Sequence, residues 1–240
     1  MPMKIAAVCC TFLRPERLGR MIRCFELQDH ADRELVVLDD AGQYGCQQGD
    51  RWRLISTNVR FPTLGEKRNA AAALVSDAVD ALAVWDDDDL YLPWCLRACA
   101  AALDRAAWSR PSQVLHPQAD GSLRRHETGG LFHGGWAYRR EVFQRAGGYP
   151  AMDNGEDQGL ARRFKRAAVD QIDPIALGFD PFYVYAWGGA GGWHLSGMGP
   201  QGYRRLGAMR AEPARLRITD PPNLDLALPE ILPGVCPRVF

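Results

Sequence analysis

No uninterrupted apolar run in this chain approaches the ~20 residues that span a bilayer, so no transmembrane helix is expected. The opening MPMKIAAVCCTF runs straight into a strand pattern rather than a cleavable leader, and a cytoplasmic location is expected. An excess of one charge is also missing. Lys and Arg total 29 and Asp and Glu total 29, so there is no net field to gather nucleic acid or anionic lipid, and nucleic acid is not an expected partner. Paired cysteine spacing is absent as well. The seven cysteines, at 9, 10, 24, 46, 95, 99 and 236, give no zinc-knuckle pattern, and reduced, mostly buried thiols are expected. No GxxxxGK phosphate loop occurs, which weighs against general phosphoryl chemistry. With 47% hydrophobic and 24% charged residues over 240 positions, the chain can bury a core of its own, and disorder is excluded as a general description.

The first half repeats one theme, in which a short Val-, Ile- and Leu-rich run ends abruptly in polar residues and a helical pattern follows. The runs are Ile5–Cys10 before Thr11, Leu35–Leu38 before Asp39, Leu54–Ile55 before Ser56, and Leu82–Trp85 before Asp86. Helices are predicted over Glu16–Leu27, Glu66–Val79 and Pro93–Ala107; the second carries Ala70, Ala71, Leu74, Val75 and Ala78 on one face. This alternation predicts an α/β fold with a doubly wound, mainly parallel sheet flanked by helices. Ligands in such sheets bind beyond the carboxyl ends of the strands, where Thr11, Asp39, Asp40 and Asp86–Asp89 would gather. After about residue 110 the pattern becomes a more irregular α+β mixture with one good helix, Asp157–Ala168. The expected organisation is one domain over 1–210, with a nucleotide-binding half at 3–110 and an acceptor and base half at 111–210. A Pro-rich tail at 211–240 would be laid over the body and leaves a homo-oligomer open.

The sharpest motif is VWDDDDLYLP, residues 84–93. Four adjacent carboxylates at the end of a buried strand repel one another, and a divalent cation or raised pKa values relieve the strain. Magnesium or manganese, which accepts one or two carboxylates and completes its shell with water and phosphate oxygens, suits the site. A solvated acidic turn capping the helix at Pro93 is the plainer alternative. Asp39 and Asp40, between ELVVL and Ala41–Gly42, are placed to meet a ribose or base edge, or simply to shape a strand exit. In NGEDQGLARRF, residues 154–164, Glu156 and Asp157 open a helix. There they either complement its dipole or serve as a general base on a rigid support.

Taken in order, CTFLRPERLGRMIRCFELQ, ELVVLDDAG, GEKRNAA, the aspartate run before a tyrosine and proline, GGWAYRREVFQRAGGYP and GEDQGLARRF resemble the family 2 glycosyltransferases. Their nucleotide-sugar-binding fold is called GT-A, and the resemblance covers roughly residues 3–195. It implies transfer of a sugar, with inversion, from a nucleoside diphosphate donor, UDP-linked by family default, to a hydroxyl of a glycan, a lipid-linked intermediate or a small molecule. By the same resemblance Thr11 and Asp39 hold the nucleoside, and Asp86, Asp87 and Asp88 match the DXD motif that meets the ribose and, through Mn2+ or Mg2+, the diphosphate. The working pair is Asp86 with Asp88 or Asp87 with Asp88. Asp157 matches the catalytic base, a role Glu156 shares or takes. His194, in GGAGGWHLSG, is either a metal ligand, as a late histidine is in some GT-A enzymes, or a loop histidine without that role, and the glycines around it suggest a lid.

Lys67 and Arg68 are placed to reach the nucleotide or its phosphates, with Arg68 favoured for its planar fork. Trp136, beside Gly134 and Gly135, is either a platform for a sugar ring or part of the core. The same residues also admit a nucleotidyltransferase acting on a sugar phosphate, or a non-catalytic carbohydrate-binding module whose acidic run binds calcium.

Overall fold

A computed structural model describes residues 2–118, 122–186, 201–207, 209 and 211–221. The four runs read from the sequence become strands β1 (Ile5–Thr11), β2 (Arg33–Asp39), β4 (Trp52–Ser56) and β5 (Ala81–Val84), and a short β3 (Gln47–Gln48) precedes β4. β1 lies parallel between β2 and β5, and β2 pairs parallel with β4. Near-continuous apolar sequence is what two covered faces require, and Leu35 to Leu38 are accordingly buried on both faces. Helix α1 (Pro15–Glu26) starts with proline at its first position and packs Leu18, Met21, Ile22 and Phe25 inward. Helix α2 (Leu64–Ala73) starts at a capping box in which the Thr63 hydroxyl accepts from the Glu66 amide and donates to its carboxylate.

The predicted helix over Glu66–Val79 ends six residues early in the structure, at Ala73. The Glu34 carboxylate takes the Ser76 amide and hydroxyl, at 2.7 and 2.6 Å, and turns the chain toward β5. The helix expected over Pro93–Ala107 is α3 (Cys95–Leu103), the dipeptide β6 (Leu90–Tyr91) having formed ahead of it.

The second half joins the same sheet. Strand β10 (Ala137–Arg139) inserts antiparallel between β5 and β7 (Trp108–Ser109), and β11 (Gln171–Ile172) closes the edge, giving the order β11-β7-β10-β5-β1-β2-β4-β3. Helix α4 (Arg140–Arg145) follows β10, and α5 (Glu156–Arg166) fills the place predicted for Asp157–Ala168. A second sheet that the sequence did not announce has the order β6-β12-β8-β9, with β8 (Gln113–Pro117), β9 (Leu123–Glu127) and β12 (Tyr183–Val184). Trp85, fully buried at the end of β5, stacks on Tyr91 of the small sheet at 3.8 Å and ties the two sheets together; such a pair adds ~0.5–1.5 kcal/mol beyond its burial.

A short helix α6 (Gly202–Gly207) returns toward the carboxyl ends of the large sheet, and residues 211–221 run without helix or strand across α1. Ala214 donates its amide to Gln43, Arg23 pairs with Asp220, and Leu216 packs on the core. The rest of the Pro-rich tail, the glycine-rich loop and His194 lie outside the described residues. The six cysteines among the described residues are free, and no helix among those residues is long and apolar enough to cross a membrane.

Candidate active site

The carboxyl ends of β1 and β5, the start of α2, the start of α5 and the small sheet enclose a cleft of about 360 Å³. It lies where a parallel α/β sheet places its ligands. Thr11, Arg68, Asp86, Asp87, Asp88, Glu156 and Asp157 all border it, so residues from four distant sequence segments meet as expected.

The four aspartates divide into distinct surroundings. The Asp87 carboxylate accepts from the Thr11 hydroxyl at 2.7 Å and from Arg14 at 2.6 Å, and Arg14 reaches Asp88 at 2.7 Å. Asp89 turns away into the small sheet, accepting from the Tyr183 hydroxyl and the Ala186 amide. Asp86 is oriented by its own amide, which donates to the Tyr91 hydroxyl at 2.7 Å. Burial, with Asp87 next to it, pushes the Asp88 carboxyl above the ordinary range despite Arg14.

Among the described residues no group of three His, Cys, Asp or Glu side chains forms a closed metal cage. A hard cation that keeps waters and takes phosphate oxygens needs only one or two carboxylates, and Asp86 and Asp88 on the cleft wall are of that chemistry. Crowded acids with too little positive charge between them fit such an ion.

Arg68 spans the cleft floor. Its Nη2 donates to Asp86 at 3.2 Å and its Nε to Glu156 at 3.1 Å, which ties the end of β5 to the start of α5. Burial works against the guanidinium charge, but Asp86 and Glu156 more than offset it and hold its pKa well above the ordinary value. Burial raises the Glu156 carboxyl, with Arg68 opposing. Asp157 is less buried than Glu156 and accepts from the Gln158 amide at 2.7 Å, the placement expected in a first helical turn. The residue ahead of this helix, Gly155, has φ +71°, a conformation costly for any side chain-bearing residue, which lets the loop turn both carboxylates toward the cleft.

Three expectations change. Trp136 does not line the cleft: it is fully buried, its indole N–H donates to the Gly130 carbonyl at 2.8 Å, and Trp108 packs edge-on at 5.1 Å. It is a core residue, because the strand it precedes presents it to the face covered by α5. Lys67, 2% exposed, borders the cleft but is turned inward, pairing with Asp40 and donating to the Thr11 carbonyl at 2.6 Å. Asp39 is fully buried and does not border the cleft. Its oxygens hold the Ala41 and Gln43 amides, both at 3.0 Å, and the Ser56 hydroxyl at 2.8 Å, so it shapes the loop after β2.

Sequence reasoning missed several residues. Arg14 stands in the quoted CTFLRPERL segment, where a cation just past a strand-end threonine was an available signal. Arg60 is sandwiched between the rings of Phe12 and Tyr203, 3.9 Å from each, and pairs with Asp40. Phe132, His133 and Tyr185 also border the cleft, and no motif marks them.

No family model and no curated protein sequence matches the chain. Solved structures do. The S. aureus TarS fragment 1–349 in complex with UDP-GlcNAc is 14% identical over 81% of this chain and 61% of that one, with a TM-score of 0.61. The mannosyltransferase PcManGT from Pyrobaculum calidifontis, in complex with GDP-Man and Mn2+, is 17% identical over 80% of this chain and 59% of that one, with a TM-score of 0.56. The catalytic domain of Drosophila beta1,4-galactosyltransferase 7, in complex with xylobiose, is 16% identical over 89% of this chain and 83% of that one, with a TM-score of 0.55. The chain therefore spans about three fifths of the first two structures. It has the mainly parallel α/β fold of the GT-A type that these nucleotide-sugar glycosyltransferases share.

Proposed function

We propose that the chain is an inverting glycosyltransferase that moves a sugar from a nucleoside diphosphate donor to an acceptor hydroxyl with the help of a divalent cation. The observation that carries this is the Arg68 bridge, which sets the strand-end acids and the helix-start acids on one cleft. Structures of the same fold hold UDP-GlcNAc, or GDP-Man with Mn2+. A UDP-linked donor is the first to try, and GDP-linked donors the second.

Asp86 and Asp88 are the residues that would hold Mn2+ or Mg2+, and the bound ion would stabilise the charge that develops on the departing diphosphate. Thr11 and Arg14 fix Asp87 and thereby the strand end on which both acids ride. Arg68 holds Glu156 in place, which leaves Asp157 to take the acceptor proton as the new glycosidic bond forms. A carboxylate so placed contributes ~10²–10⁴-fold.

The test is a panel of nucleotide sugars incubated with and without manganese, followed by detection of nucleoside diphosphate and linked product. Manganese-dependent release lost in Asp88→Ala supports the proposal. Release of sugar 1-phosphate, with the nucleotidyl group passed to added pyrophosphate as nucleoside triphosphate, would replace it with nucleotidyl chemistry, and sugar binding without turnover would replace it with a binding module.

A further inference from the structure

The small sheet and the turn after it give the cleft a second wall of different chemistry. Phe132 and Tyr185 both border the cleft and meet edge to face, with ring centroids 4.6 Å apart. His116 of β8 packs against both, 6.1 Å from Phe132 and 5.3 Å from Tyr185, and His126 of β9 packs on His116 at 4.7 Å. Rings buttressed in this way hold a fixed surface rather than a collapsible one. Leu131, 61% exposed, extends the wall to the rim. Burial, with His126 adjacent, lowers the His116 pKa.

Charge is distributed one-sidedly. Among the described residues the Arg and Lys side chains that border the cleft are Arg14, Arg60, Lys67 and Arg68, all on segments leaving the large sheet. Each is already bound to a carboxylate: Asp87 and Asp88, Asp40, Asp40, and Asp86 with Glu156. An anionic group brought to the aromatic wall would find acids nearby and no cation without a partner.

We propose that Phe132 and Tyr185 form the acceptor subsite and take an uncharged pyranose ring by its apolar C–H face, with the reacting hydroxyl turned toward Asp157. This rests on the glycosyl-transfer reading above. The acceptor oxygen bonds to the anomeric carbon as that carbon's bond to the diphosphate oxygen breaks, the hydroxyl proton passes to Asp157, and the nucleoside diphosphate leaves with the electron pair. Aromatic walls with few polar groups are what such a ligand face requires.

Saturation-transfer NMR with a mixture of methyl β-glucoside, methyl β-galactoside, methyl β-xyloside and methyl β-glucuronide, in the presence of UDP and manganese, tests the subsite. Ring C–H protons of at least one neutral glycoside should saturate and the glucuronide should not. Phe132→Leu, which keeps bulk without a ring, and Tyr185→Ala should weaken the effect about tenfold, a difference of ~1.4 kcal/mol. UDP affinity by calorimetry should stay within about twofold, since neither residue lies on the wall assigned to the nucleotide. Unchanged saturation in both variants, or preference for the glucuronide, overturns the proposal. Failure of wild-type protein to bind either UDP or GDP overturns the transferase reading instead, and saturation by the glycosides alone still decides whether this wall holds sugar.

Discussion

The two walls of the cleft are built on opposite principles. The wall from the large sheet is ionic: its acids sit at the ends of buried parallel strands, and Arg14, Lys67 and Arg68 cross-link them from neighbouring loops and helices. The wall from the small sheet is aromatic, and its two facing rings are held by other rings rather than by charge. An ionic wall suits a polyanionic group such as a diphosphate with its cation, whereas an aromatic wall suits a neutral, partly apolar partner. Asp157 stands on α5, which packs against α2 of the large sheet, so the proposed base belongs to neither wall's interior.

The sharpest way to break this comparison is at that base. Asp157→Asn should lower transfer by ~10²–10⁴-fold while nucleoside diphosphate affinity holds, because only the proton acceptor is lost. Rapid quench on the variant, with binding measured in parallel, checks it; equal turnover in a folded variant would move the role to Glu156. The next largest effect is on stability and tests the ionic wall alone. Lys67→Met leaves buried Asp40 with Arg60 as its one charged partner among the described residues, beside the Phe61 amide and the Tyr203 hydroxyl, and loss of one member of such a buried pair costs up to ~3–5 kcal/mol. Denaturant unfolding should show that loss, whereas a change below ~1 kcal/mol would mean the pair is solvated. Arg68→Lys should cost less, roughly 1.5–3 kcal/mol in transition-state stabilisation, because a single ammonium cannot hold Asp86 and Glu156 at once. The kcat should fall more than KM rises; the reverse pattern would make Arg68 a simple donor contact.

These walls also differ in how far the sequence announced them. Thr11 and Asp86 to Asp88 were legible because apolar runs that stop at polar residues mark strand ends, and strand ends of a parallel sheet converge, whereas Glu156 and Asp157 were legible as the acids that open an amphipathic helix. The parallel strands β1, β2, β4 and β5 followed from the same pattern. The aromatic wall left no such trace. Phe132 and Tyr185 come together only because β12 pairs with β8, through Val184 opposite Leu115, and strands of two to five residues carry too short a period to be read. Trp136 shows the complementary error: an aromatic beside glycines reads equally well as a platform or as core, and only the sheet face decides. Asp39 was placed correctly at its strand end, but its oxygens close a loop, which no pattern of residue types reveals.

The smallest predicted effect concerns the seam between the walls, where His133 borders the cleft and its Nε2 lies 2.9 Å from the Tyr149 hydroxyl, itself 2.7 Å from that of Tyr138. Burial, reinforced by Arg68, holds the His133 pKa well below its ordinary value. The unfolded chain therefore takes up a proton near pH ~6.5 that the folded chain refuses until much lower pH. The stability linked to this group is fully present above that pH and declines as pH falls toward the folded pKa, by at most ~1.4 kcal/mol per pH unit. Glu156, whose pKa is raised by burial, acts in the opposite sense, because the folded state keeps its proton to higher pH than the unfolded one does. The difference between wild type and His133→Gln cancels that background. Unfolding free energies measured from pH 7.5 to 5 should converge as the pH drops, since the variant lacks the proton that destabilises the parent. Parallel curves would show that His133 accepts its proton in place, and the neutral aromatic wall would then carry a charge at its inner edge.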